Sequence, residues 1–486
     1  MKKLILLIAL IIIAVTVLSC GGGKGGGASP DVTASLPNAD DAEVTTADPD
    51  LPSAEPKKHN GSRFSVIYPT HQNYSYQSAE TETGDALNDA LITRDRTVSE
   101  LLDIAIEYRV TENIDVVYPI VSESVLAGDH TYDLVLSHCV YNIAGYITDG
   151  IVLNWYDIDS VDFAKPYWNN GMNDSLAING VLPTASGNYI MSNPLMLFFN
   201  TLLTESAGCG NLYELTSSGG WTWDKLTGFS KNAVTDLNGD GVLDINDQYG
   251  FAVLTAGSSY RLRSIPQSCD MTIYERDDSG QLFCNANSPR MQTILEKIVK
   301  LFSKGEGGYC VADAAYKTGG DIYFGEGKAL FWLVDSLIVG AYRDVEFEYG
   351  ILPLPKFDEN QENYTSLDWG GLMLIPITVK DREYVGTVTE WLCYYGSKLV
   401  LPEYYNTMMD VKVARDSESA DMLDLVFDNL VYEPAVNLRS PGFYSMFDGL
   451  VMKGDSNLAS YCDSRLSAEN AYIDKMNAAY AALASK

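Results

Sequence analysis

Positive charge is scarce in this chain. Thirty-three Lys and Arg stand against 65 Asp and Glu, a formal charge of −32 over 486 residues. A field of that sign repels nucleic acid and other polyanions at long range, so no nucleic-acid partner is expected. Histidine is rarer still, with four residues and no H-E-x-x-H pair, which argues against a catalytic zinc site. The eight cysteines include no C-x-x-C, so zinc ribbons and thioredoxin-like redox chemistry have no support. No G-x-S-x-G occurs. The stretch from Gly325 to Lys328 lacks both the upstream Gly and the Ser/Thr of a phosphate loop, so any ATPase is another polypeptide. The longest apolar run, 4–18, falls short of the roughly 20 residues that a spanning helix needs. Against these gaps, 46% hydrophobic and 20% charged residues fit a globular chain, and the length fits two lobes or domains. Tyr at 31 and Trp at 7 leave aromatic faces to spare.

Lys2 and Lys3 precede the apolar run, as in a secretory signal. Val17-Leu18-Ser19-Cys20 resembles a bacterial lipobox. That resemblance implies removal of residues 1–19 and a lipid on Cys20; an ordinary signal peptide or an uncleaved anchor are the alternatives. Residues 20–61 are rich in Gly, Ser, Thr, Pro and Asp without apolar periodicity, and read as a flexible tether. Forty such residues span roughly 35 Å end to end. Beyond Cys20 an odd seven cysteines remain. Cys269 and Cys284 flank a hairpin-like stretch and either pair or stay as buried thiols.

Periodicity predicts strands over 64–68, 114–120 and 132–137, with a helix over 98–108 between the first two. A strand pair is expected from 189–191 and 195–200. Helices are expected after Thr222, as N-cap, and over 291–302. Further strands fall at 329–334, 350–355 and 371–377, and helical patterns dominate from 385 onward. Strands alternating with helices make an α/β layer structure.

The sharpest chemical signal is residues 236–247. Asp236, Asn238, Asp240, Asp244 and Asp247 fall at positions 1, 3, 5, 9 and 12 of a calcium loop, with Gly241 at 6 and the Val242 carbonyl at 7. Position 12 is Asp instead of the usual bidentate Glu. A strand-like stretch follows directly, so no second EF-hand helix is expected, and Ca²⁺ here is a structural staple. An acidic turn without metal is the other reading.

Several short motifs come in a familiar order: Tyr132-Asp133, Lys165 to Trp168, Gly187 to Ile190, Phe198 to Asn200, Trp221 to Asp224, Phe324 to Ala329 and Tyr349 to Pro355. The series, spread over 62–486, resembles the extracellular solute-binding proteins of ABC importers, in the carbohydrate-type group that includes maltose-binding protein. Residues 415–424 resemble variants from Gram-positive anaerobes. The resemblance implies a two-lobed α/β fold of the type II periplasmic-binding-protein kind, with a ligand cleft between lobes. Lobe one is then 62–190 plus 366–396, and lobe two 191–365 plus 397–486. The chain is expected to cross near 186–192, to return in 355–369 and to cross again near Gly396.

In open α/β sheets ligands meet the carboxyl ends of strands. This places Tyr68, Thr70, His71, Ser137, His138, Asp335 and the crossover residues Tyr189, Asp368 and Trp369 at the ligand, with Trp168 and Trp332 as further aromatic platforms. Aromatic faces pack on pyranose C–H groups and carboxylates bind hydroxyls, which is what a sugar requires. Asp133 reads as structural. The implied partners are a carbohydrate, neutral given the acidic field, the permease subunits of an ABC transporter, and the membrane through the lipid anchor. The protein is then extracytoplasmic, held at the outer face of the cell membrane. No enzyme activity is implied. A secreted Ca²⁺-dependent carbohydrase using paired carboxylates, or a surface receptor that senses ligand, are the competing classes.

Overall fold

The computed structural model describes residues 48–71, 74, 77–254, 260–311, 321–342, 345–409 and 417–484. Cys20 and the tether up to residue 47 lie outside the described residues. Among those described, no helix is long and apolar enough to cross a membrane.

The strands are β1 (Ser62–Pro69), β2 (Ile104–Thr111), β3 (Leu134–His138), β4 (Leu195–Asn200), β5 (Tyr249–Leu254), β6 (Tyr274–Arg276), β7 (Leu282–Cys284), β8 (Gly308–Val311), β9 (Ala329–Asp335), β10 (Tyr349–Leu352), β11 (Ser366–Leu367), β12 (Gly371–Leu374) and β13 (Leu430–Val431). They form two main sheets. One has the order β12-β3-β1-β2 and the other β10-β4-β9-β5-β8. In the first, β1 runs parallel to β2 and β3, and the late strand β12 closes it antiparallel to β3. In the second, β5 is parallel to β8 and β9, while β4 is antiparallel to β9 and β10. Each sheet is the centre of one lobe of a two-lobed α/β architecture.

The central strands carry unbroken apolar runs because helices cover both faces. Every residue of β3, β4, β5, β9 and β10 is buried. Helix starts follow side-chain chemistry. Asp85, Thr222, Ser288 and Asp381 each accept a backbone N–H of the first turn, relieving donors that a helix start leaves unpaired. Asp133 is structural as expected, accepting the Ser65 N–H at 2.7 Å and lying 2.8 Å from His130 Nε2.

Three expected elements differ. The expected helix over 98–108 is the end of a helix at Ala86–Leu102, followed by β2. Asp103 takes the left-handed conformation, φ 51°, and returns its N–H to the Ser99 carbonyl, so the helix ends there. The expected strand over 114–120 begins helix Val117–Leu126 instead. Val117, Val121 and Val125 recur every fourth residue and are its buried stripe, which outweighs β-branched propensity. Residues 189–191 do not pair with β4, whose neighbours are β9 and β10. The seven cysteines of the folded part are free thiols, Cys269 and Cys284 included.

Lobe one is fastened by one buried acid. Glu390, in helix Arg382–Tyr395, has no exposed surface and accepts Tyr167 Oη at 2.5 Å and Trp168 Nε1 at 2.8 Å. Burial pushes its carboxyl up to about 7. The folded state therefore holds this proton where the unfolded chain has released it. Its contribution to stability is fully present below the ordinary Glu range and is lost as pH rises towards 7. Glu390→Gln is expected to reduce the fall in unfolding free energy between pH 4 and pH 8 by on the order of 3 kcal/mol. Denaturant titrations at both pH values measure this; an unchanged difference assigns the proton elsewhere.

Candidate functional site at the seam between the lobes

The crossing segments are knotted together by Asp368. This side chain is buried, and both its oxygens are engaged: Oδ1 accepts the Asn193 N–H at 2.5 Å, and Oδ2 accepts the Gly370 N–H at 3.0 Å and Tyr432 Oη at 2.9 Å. The Asp368 N–H reaches the Val431 carbonyl, and the Trp369 N–H reaches that of Asn193. Asn193 in turn accepts the Leu337 N–H at 3.2 Å through Oδ1, just past the end of β9. Burial raises the Asp368 carboxyl to about 6 in spite of these donors. Gly370 is required beside it, because a Cβ there would stand 2.5 Å from Asp368 Oδ2. A Cβ on Gly396 would lie 2.0 Å from the Asn188 carbonyl oxygen. Arg94, wholly buried, donates to the Gln77 carbonyl at 2.6 Å and the Tyr189 carbonyl at 3.3 Å, and lies 4.7 Å from the centre of the Tyr189 ring.

Strand ends from both sheets meet at this knot. β3 ends in His138, which pairs with Gly371 at the start of β12. The His138 ring packs 5.1 Å from His71, beyond the end of β1, and 5.4 Å from Tyr141. Burial, with help from His71 and Arg439, lowers His138 to about 3, so it is a neutral imidazole in ordinary buffers. From the second sheet, β9 ends in Asp335, which has no exposed surface. Its Oδ2 accepts Tyr260 Oη at 2.9 Å and Arg261 Nε at 2.9 Å, while Oδ1 has no hydrogen-bond partner among the described residues. Tyr260 packs edge-on to Trp369, ring centres 4.9 Å apart. Farther along, Arg263 pairs with Asp448 through two bonds of 3.0 and 2.9 Å and lies over Tyr444.

Of the expected ligand residues, His71, His138, Asp335 and Trp369 converge here. Thr70 is exposed at the end of β1. The others are committed to the interior. Tyr68 Oη is 2.7 Å from Ser78 Oγ, Ser137 Oγ donates to the Tyr141 carbonyl, and Tyr189 Oη lies 3.0 Å from that of Tyr108. Trp168 packs with Trp155 and Phe163 above Glu390. Trp332 donates to Tyr342 Oη at 2.7 Å inside the β9 core. Asp368 ties together Asn193, Gly370 and Tyr432. Strand-end reasoning alone misses Tyr141, Tyr260, Arg261, Arg263, Arg439 and Tyr444. The scarcity of Arg was the usable signal: a buried guanidinium in so acidic a chain needs a specific carboxylate.

The loop 236–247 folds on its own side chains. Asp236 accepts the Gly239 and Gly241 N–H groups at 2.7 and 2.8 Å; Asn238 accepts that of Asp240; Asp240 that of Val242; Asp244 that of Asn246. Asp247, fully buried, accepts the Leu237 and Asp244 N–H groups. Gly239 and Gly241 have φ of 72° and 80°. The donors are all hard oxygens, the chemistry of Ca²⁺. No three acidic, His or Cys side chains stand together as a metal cage among the described residues.

No protein-family model matches the chain, and no curated protein matches it. Solved structures do. An ABC substrate-binding protein of Listeria monocytogenes in complex with cycloalternan matches with TM-score 0.56 at 13% identity, over 85% of this chain and 99% of that one. A cyclic alpha-maltosyl-1,6-maltose binding protein from Arthrobacter globiformis gives 0.55 at 14%, over 87% and 99%. A Mycobacterium tuberculosis protein in complex with glycerophosphocholine gives 0.56 at 11%, over 85% and 99%. The chain is thus similar, at low identity and throughout its folded part, to the two-lobed structures of solute-binding proteins, including those that bind carbohydrate.

Proposed function

We propose that this protein is the substrate-binding lipoprotein of an ABC importer. It captures a sugar or oligosaccharide outside the cell, without chemistry, and delivers it to permease subunits in the membrane. The observation that carries the reading is the seam at the end of β9. There a wholly buried carboxylate keeps Oδ1 of Asp335 without a donor, beside the Tyr260–Trp369 pair. A buried acceptor left unpaired is costly, and a ligand hydroxyl satisfies it. The aromatic pair supplies the packing surface that a pyranose uses. Several crossing segments at one knot allow the lobes to close without a large bend at any single residue.

A thermal-shift screen over glycans tests the proposal, because a ligand that binds only the folded state raises its stability. At least one glycan is expected to raise the melting temperature and to be recovered intact. Trp369→Ala is expected to weaken its binding roughly 5- to 150-fold while leaving the fold in place, from about 1–3 kcal/mol of lost apolar contact. Consumption of the bound glycan by the purified protein contradicts a binder. Unchanged affinity in Trp369→Ala removes that residue from the site.

Two further parts belong to this proposal. Cys20 carries the lipid that holds the domain at the outer face of the membrane, extracytoplasmic, on the tether. Expressed in a bacterial host, the wild type is expected to take up labelled palmitate and Cys20→Ser to lose that label; equal labelling contradicts the anchor. Ca²⁺ serves as a structural staple, held by Asp236, Asn238, Asp240, the Val242 carbonyl, Asp244 and Asp247. Chelation is expected to lower the melting temperature by roughly 2–5 °C, and Asp236→Ala to abolish the difference between calcium and chelator. An identical melt in both buffers contradicts the site.

A further inference from the structure

Arg439 stands apart from the other guanidiniums of the seam. Arg261 is neutralised by Asp335, and Arg263 by Asp448. Arg439 is exposed and makes no ion pair among the described residues, in a chain with 65 acidic side chains. Its guanidinium carbon lies 5.1 Å from the ring centres of both Tyr141 and Tyr444. Tyr141 follows β3 and packs on His138, whereas Tyr444 is shared with Arg263, so Arg439 sits where the two lobes' aromatic side chains meet.

Its position is fixed by the backbone. Arg439 lies between helices Pro434–Asn437 and Met446–Lys453, in the left-handed conformation with φ 50°. That conformation is unfavourable for a side chain of this size and persists only where the surroundings impose it. The N–H of Arg439 reaches the Val436 carbonyl, and Asn437 Nδ2 donates to the Cys139 carbonyl at 3.0 Å, which ties this loop to the end of β3. The negative charges of the same seam are met within the protein: Asp335 by Arg261 through Oδ2, Asp448 by Arg263, and Asp368 by two backbone N–H groups and Tyr432, whereas Asp335 Oδ1 keeps only the capacity to accept a hydroxyl.

We propose that the ligand is an acidic glycan and that Arg439 binds its anionic group. This rests on the glycan-binding reading above. A guanidinium between two rings keeps its in-plane N–H donors for a carboxylate or sulfate, the bidentate geometry in which Arg surpasses Lys. The flanking tyrosines then pack on the sugar that carries the group. The expectation of a neutral sugar, drawn from net charge, gives way for a physical reason. Exposed charges farther than about 8–10 Å are screened at physiological salt, so the side chains that touch the ligand decide its charge.

The test is calorimetric titration of the whole protein with oligogalacturonides, sulfated galacto-oligosaccharides and neutral galacto-oligosaccharides of equal length. Arg439→Asn removes the charge yet tolerates the left-handed backbone, and Arg439→Lys keeps the charge without the planar fork. The wild type is expected to bind one of the two anionic sets in preference to the neutral set. Arg439→Asn is expected to weaken that binding about 10- to 100-fold and Arg439→Lys to restore part of it. The melting temperature without ligand should stay unchanged. Preference for carboxylate or for sulfate identifies the anionic group. Neutral glycans bound as tightly as anionic ones, or anionic binding unaffected by Arg439→Asn, overturn the acidic-glycan inference and leave the binder reading in place. No binding in any set, with no shift in the wider glycan screen, overturns both.

Discussion

The seam depends on one carboxylate with no solvent. Asp368 joins the outgoing crossover at Asn193, the returning strand at Gly370 and the C-terminal segment at Tyr432. A buried acid costs several kcal/mol unless its oxygens are satisfied, and here two backbone N–H groups and a phenol satisfy them. The same requirement explains the tight chain path around it, with a glycine where any side chain would strike the carboxylate. Trp369 and the start of β12 take their positions from this knot, and β12 in turn sets the position of His138. Aromatic and charged groups of the seam are thus placed by this knot of backbone and side-chain hydrogen bonds.

Charge is organised on two scales. Over the whole sequence acidic residues outnumber basic ones by nearly two to one, which sets the sign of the long-range field. At the seam the balance is made pair by pair: Arg261 against Asp335, Arg263 against Asp448, and His138 held neutral by burial. Burying a guanidinium without a partner is prohibitive, so in a chain with few arginines their partners mark where the fold needs a charge. Arg94 serves a different end: it stacks on Tyr189 and gathers the carbonyls of Gln77 and Tyr189 beneath the first crossover, and it is the same physical device used for architecture.

Short motifs and apolar runs made much of the architecture legible. The buried runs at 132–137, 195–200 and 329–334 coincide with most or all of the central strands β3, β4 and β9, because a strand covered on both faces has to be largely apolar. Local pattern failed where two periods coincide. Leu101, Leu102, Ala105 and Tyr108 suit a helix face, yet the chain turns at Asp103 and β2 begins. Val117 looked like part of a strand because β-branched residues favour strands, while the every-fourth-residue stripe that follows made it a helix start.

By itself the sequence determined the α/β class, the positions of several central strands, the helix cap at Thr222 and the oxygen-rich spacing of residues 236–247. All of these rest on neighbours a few residues apart. Only the tertiary structure decided which strand-end residues face the seam. Trp168 and Trp332 became core because Glu390 and Tyr342 take their indole N–H groups. Asp368 became a hinge tie, and Tyr260, Arg261, Arg439 and Tyr444 came to the seam from segments far from the first-lobe strand ends. Their roles depend on partners as distant in sequence as Arg263 and Asp448, and such pairings carry no local periodicity. Burial then made the final choice, since a polar group in the interior has to take whichever partner the fold brings to it.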